Sequence, residues 1–127
     1  MPRRTLAAVG ATVALAALLT ACAETDPTGA GVGTAVAVDS GDETCVLSAT
    51  TIPAGDVTFT VTNSGSDVTE LYIYAEDGTT IVGEVEDVTP GLARDLDVSL
   101  AAGSYVAACK PGMVGDGIRT SFQVTSE

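Results

Sequence analysis

Histidine and tryptophan are absent from this 127-residue chain, and basic residues number only five. Without an imidazole, no Ser-His-Asp or Cys-His nucleophile pair can be assembled, nor a zinc site of the mixed Cys/His kind. Hydrolytic readings fall away, and we expect a protein that is not an enzyme. The three cysteines form no C-x-x-C, which removes support for thioredoxin-like redox chemistry and for most iron–sulfur ligation. The Gly-rich piece GMVGDG lacks the Lys and the following helix of a phosphate loop, and reads as a turn. Aromatic residues make up 4% of the chain, too few to suggest a stacking platform for sugars or bases.

What is present begins with an export signal. Arg3 and Arg4 precede an apolar, Ala-rich run from Leu6 to Leu19, short for a membrane span. The run closes on LTAC, Leu19 to Cys22, the pattern read before a lipoprotein cysteine is diacylated, so we expect residues 1–21 to be removed and Cys22 to carry a lipid anchor. Ordinary cleavage after Ala23, at Ala21-Cys22-Ala23, is the competing reading. Both place the mature protein outside the cytoplasm, where disulfides persist, anchored on the outer face of the cell membrane or else secreted or periplasmic. Residues 22–33, rich in Gly and Thr with one Pro, read as a flexible tether, leaving residues 34–127 for one domain. Three bases against 17 acids leave the mature chain at −14 in side-chain charge. Such a surface repels phosphate backbones, so nucleic acid is excluded as a partner.

From Thr34 onward the chain favours short strands. Val36 and Val38 alternate with small residues, Val57, Phe59 and Val61 with threonines, and Leu71 and Ile73 with Glu70, Tyr72 and Tyr74. Ile81 to Val85, the even face Leu92, Leu96, Val98 and Leu100, then Tyr105 to Cys109, and last Ile118, Phe122 and Val124 continue the series. Pro53-Ala54-Gly55, Asn63-Ser64-Gly65, Asp77-Gly78, Pro90-Gly91 and Ala102-Gly103 supply the turns. Seven or eight strands so spaced predict an all-β Greek-key sandwich. Arg94, which interrupts an apolar face, is expected at the rim with an acidic partner.

The remaining chemistry lies in Cys45, Glu70, Cys109, Met113 and, more weakly, Asp116. Cys45 and Cys109 both stand at strand ends and can meet at one pole of a sandwich. A disulfide there would contribute roughly 4 kcal/mol through chain entropy. Thiolates and a thioether are equally donors for Cu(I), and a carboxylate beside two thiolates accepts Cu(II) or Fe(III). The two readings exclude one another at any moment, because sulfurs joined to each other are poor ligands. Glu70 lies opposite Leu71 and Ile73 by parity, which also suits an ordinary solvated residue, and Met113 suits a core gap as well as a metal.

The segments VTNSGSDVTE, VGEVEDVTPGL and ACKPGMVGDGIR, within residues 34–124, resemble the cupredoxin-like domain of EfeO, an extracytoplasmic component of a bacterial iron-uptake system. The resemblance implies a cupredoxin sandwich binding one copper or iron ion, with Cys45, Glu70 and Cys109 as ligands and Met113 in the loop that holds an axial thioether in blue-copper relatives. It also implies an iron permease or an imelysin-domain protein as partner. Two departures stand out: family members continue into a helical imelysin-type domain that is not in this sequence, and the acidic residue common after the first Cys is Val46. The expectation is a lipid-anchored cupredoxin-like protein binding copper or iron for metal uptake or electron transfer. Its alternative is a metal-free sandwich, stapled by Cys45 and Cys109, that serves as a protein interaction module.

Overall fold

A computed structural model describes residues 33–126. The segments expected as signal peptide and tether, up to residue 32, and the expected lipidation site Cys22 lie outside the described residues. Among the described residues no helix is long and apolar enough to cross a membrane. Among the described residues nine strands form: β1 (Thr34–Ser40), β2 (Cys45–Leu47), β3 (Thr51–Pro53), β4 (Gly55–Asn63), β5 (Thr69–Ala75), β6 (Ile81–Val88), β7 (Ala93–Leu100), β8 (Gly103–Cys109) and β9 (Ile118–Thr125). One 3₁₀ turn, Pro111–Met113, lies between β8 and β9.

The strands divide into a four-stranded sheet, ordered β2-β1-β4-β7, and a five-stranded sheet, ordered β3-β9-β8-β5-β6. Both are mixed, since β1 runs parallel to β4 and β3 parallel to β9. β1, β4 and β9 keep the period-two alternation of their sequence, so the apolar face of each sheet turns inward. β6 instead spaces its buried Val85 and Val88 three apart, where its pairing with β5 shifts register. Val36 and Val38 of β1 pair with Phe59 and Val61 of β4, and all four are buried. From the other sheet come Leu71, Ile73, Ala107, Phe122 and Val124. Phe59 meets Phe122 edge to face across the gap, with ring centroids 5.8 Å apart, and Tyr105 stacks on the same ring at 5.6 Å. The expected Greek-key sandwich is thus present, with two short strands, β2 and β3, beyond the seven runs visible in the sequence.

Two local expectations are corrected. Leu92 is not on the inner face of β7: it is 58% exposed in the Pro90-Gly91 turn, where its carbonyl accepts from the Asn63 amide and its own amide donates to Thr89. Arg94 does not bind a carboxylate, because its Nη1 donates to the main-chain carbonyl of Glu86 at 2.7 Å and ties β7 to β6. The same two strands come so close that a Cβ on Gly83 would lie 2.5 Å from Val98 Cγ1, which explains a glycine within β6.

Truncating the ring at the centre of the core removes contacts from both sheets at once. Phe59→Ala is therefore expected to cost about 3–5 kcal/mol, read as a shift of the urea midpoint at unchanged slope.

Candidate functional site

Following the inward face of each strand to the pole near Cys109 shows where apolar residues give way to polar ones. Ser40 continues the face of Val36 and Val38, Asn63 that of Phe59 and Val61, and Thr69 that of Leu71 and Ile73. All three are fully buried, so each needs a hydrogen-bond partner inside the protein. Ser40 and Thr69 supply each other across the two sheets, hydroxyl to hydroxyl at 2.7 Å. Asn63 donates from Nδ2 to the carbonyls of Asp67 and Val88, both at 2.7 Å, and accepts from the Gly65 amide. These residues escaped the reading of the sequence for chemistry. Their signal was available, since each is a polar residue at the last inward position of an apolar strand.

The cystine completes this pole. Cys45 opens β2 in the four-stranded sheet, Cys109 closes β8 in the five-stranded sheet, and the two are joined by a disulfide with Cα atoms 5.5 Å apart. Cys45 is the register partner of Ser40, and Cys109 that of Leu71. Both sulfur-bearing residues belong to the core, at 6% and 0% exposure respectively. Thr120 adds a further link by donating its hydroxyl to the Cys45 carbonyl at 2.7 Å. After Cys109 the chain turns through Pro111–Met113 and returns at Gly117, whose φ is +75°. A Cβ there would sit 2.7 Å from the Cys109 carbonyl oxygen, so the return requires glycine.

Glu70 does not join the sulfurs. Cys109 faces inward opposite Leu71, and the alternation of β5 sends Glu70 to the outer face with Tyr72 and Tyr74. It is not a solvated strand residue either, because it is only 5% exposed. Lys110 lies over it, with Nζ 4.0 Å from Oε1 and 4.0 Å from the centroid of the Tyr72 ring. Tyr72 stacks on Tyr74 at 5.6 Å, and the Arg119 guanidinium covers Tyr74 at 4.9 Å. Two of the three cations of the described residues are thus laid on adjacent tyrosine rings. Burial raises the Glu70 carboxyl above its ordinary 4.5, with Lys110 opposing and Glu86, Glu84 and Asp87 reinforcing the rise. Burial and the neighbouring acids push the Tyr72 hydroxyl up to about 12.

Met113 is 38% exposed on the turn, with φ of +55°. The turn is pinned to the start of β5 by main-chain bonds, from Lys110 N to the Glu70 carbonyl and from Gly112 N to the Val68 carbonyl, both 2.8 Å. Asp116 is exposed, and it is its carbonyl that receives Arg119 Nε at 3.1 Å. Among the described residues no three His, Cys, Asp or Glu side chains come together in a group able to hold a metal ion. The structure therefore unites Cys45 with Cys109 and sets Glu70 on the opposite face of the sheet.

Comparison with solved structures finds the same architecture in small proteins, one of them a blue copper protein. Auracyanin from Roseiflexus castenholzii, in a dithionite-reduced form, is similar over 75% of this chain and 99% of its own, with a TM-score of 0.58 and 21% identity. Auracyanin A from Chloroflexus aurantiacus, a blue copper protein, is similar over 75% and 99%, with a TM-score of 0.54 and 15% identity. The azurin iso-2 of Methylomonas sp. strain J is similar over 74% and 98%, with a TM-score of 0.52 and 12% identity. At such identities the likeness is one of fold. A comparison with curated protein sequences finds no match. The family model of the cupredoxin-like domain matches residues 11–121, and this chain belongs to that family.

Proposed function

We propose that this chain is an exported, lipid-anchored cupredoxin-like module of the cell envelope that works in its disulfide form without a resident metal, as a docking module for another envelope protein. One observation carries the reading: its two core sulfurs are bonded to each other. A blue-copper centre takes two imidazoles and a thiolate with a weak axial ligand. This chain has no histidine, and the sulfur of Cys109 is already engaged by Cys45. The donor set does not fit that centre. The −14 side-chain charge of residues 22–127 favours a partner with a basic surface and speeds its approach.

A second reading is favoured by the copper proteins that share the fold. Reduction would give back two thiols, whose thiolates suit Cu(I), and a reduced form could handle copper or iron for uptake or electron transfer beside an iron permease or an imelysin-domain protein. Glu70 is left out of the ligand set in this reading, since it lies on the other face of β5.

The readings separate on one preparation. Protein isolated from the envelope without reductant is expected to expose no alkylatable thiol until it is reduced, and to retain no copper or iron through gel filtration by elemental analysis. About one equivalent of copper retained with the cystine intact would overturn the first reading. The anaerobically reduced protein, challenged with Cu(I) against a competing chelator, tests the second. Replacing Cys22 by Ala is expected to move the protein from the membrane fraction to the soluble one.

Glu70 gives a prediction of opposite sign to that of a ligand. Its carboxyl titrates above 4.5 in the folded chain, so the folded state binds the extra proton and stability falls as pH rises from 4.5 through the raised value. Glu70→Gln removes that loss. Urea unfolding is expected to show the variant at least as stable as the parent at about pH 7, with the difference vanishing at about pH 4.

A further inference from the structure

We infer that Cys45 is the sulfur at which an extracytoplasmic dithiol reductant opens the cystine, and that opening it unlatches β2 while the two sheets stay packed. The inference rests on the cystine and not on the docking role proposed above, so either can fail alone.

The two half-cystines are held very differently. Cys109 ends a strand that is paired on both sides, with β5 through five register positions and with β9 through seven. It is completely buried. Cys45 begins a three-residue strand at the edge of its sheet, paired on one side only, through Val38 with Leu47, Asp39 with Val46 and Ser40 with Cys45. Val46 points to solvent, which leaves Leu47 as the one other buried side chain of β2. Apart from that side chain, the Thr120 hydroxyl is the link across the sandwich that remains to β2 once the sulfurs part. Moving Cys45 toward an incoming thiolate disturbs three ladder positions, whereas moving Cys109 breaks into the centre of the five-stranded sheet.

Beyond Leu47 and the Thr120 hydroxyl, the main contacts between the sheets do not pass through β2. Phe59 on Phe122, the Ser40 to Thr69 hydroxyl pair and the two bonds of Asn63 all hold without it. Losing the cystine therefore releases an edge, and changes which main-chain groups the four-stranded sheet presents there.

The chemistry balances with one dithiol. A thiolate of the reductant attacks Sγ of Cys45, the bond between the two sulfurs breaks, and Cys109 leaves as a thiolate that takes up a proton. The second thiol of the reductant then displaces Cys45, which leaves with a proton. Two electrons and two protons have passed to the cystine, and the reductant has become a disulfide.

The mature protein is tested first with a thioredoxin-type reductant whose second cysteine is replaced by Ser, which traps the mixed disulfide. Peptide mapping is expected to find the adduct on Cys45. An adduct on Cys109, or none on either, overturns the inference. Hydrogen exchange is then compared between the oxidised protein, the dithiothreitol-reduced protein and the C45A/C109A variant. Amides of residues 45–48 are expected to lose protection about tenfold or more in both thiol-free and reduced forms, while residues 57–61, 71–73 and 120–124 keep theirs. Unchanged protection at residues 45–48, or a uniform loss across both sheets, overturns it.

Discussion

Every inward-facing side chain in this sandwich must either be apolar or find a hydrogen-bond partner inside the protein. That constraint accounts for most of what the structure shows. In the middle of the molecule it is met by packing, with Phe59 set edge-on against Phe122 and branched aliphatic residues around them. Toward the pole near Cys109 the same rows end in Ser40, Asn63, Thr69 and the two cysteines, and packing is replaced by bonds with direction. A hydroxyl pair, an amide with three hydrogen bonds and a covalent link together close that end of the core.

The copper proteins that share the fold give this pole its interest. A fold carries a chemistry only where its side chains supply the donors, and the two imidazoles of a blue-copper centre are not in this sequence. The soft atoms are present, but each satisfies the other. What remains at the pole is a set of crosslinks that fixes how the strand ends are arranged. The function proposed for the chain follows from that rigid, strongly acidic scaffold rather than from a metal.

The outer face of the five-stranded sheet obeys a second rule, set by charge. With so few cations in an acidic chain, those present go where they are worth most. Lys110 lies on Tyr72 beside Glu70, and Arg119 lies on Tyr74 while its guanidinium also donates to the Gly78 carbonyl. At the tip of the β5 to β6 hairpin Asp77 does comparable work as an anion, its carboxyl drawn down to about 2 by bonds from the Thr80 side chain and amide and the Thr79 amide.

The alternation of side chains lies in the chain itself, so most of the strands, their inner faces and the outward parity of Glu70 are legible in the sequence. The polar residues that close the pole were legible in the same way, as interruptions at the ends of apolar rows. Other features depended on which strands lie side by side. Leu92 matched the inner face of β7 by count, yet the turn before the strand carries it outward, because hydrogen bonds to Asn63 and Thr89 outweigh the burial of one side chain. That Glu70 is buried under Lys110, and that Arg94 serves a carbonyl, came from the register between strands distant in sequence. The choice between ligand and staple was also tertiary. Residue types permit either, and the sequence alone left both open; only the meeting of β2 with β8, strands from different sheets, brings Cys45 and Cys109 within bonding reach and leaves the carboxylate behind the sheet.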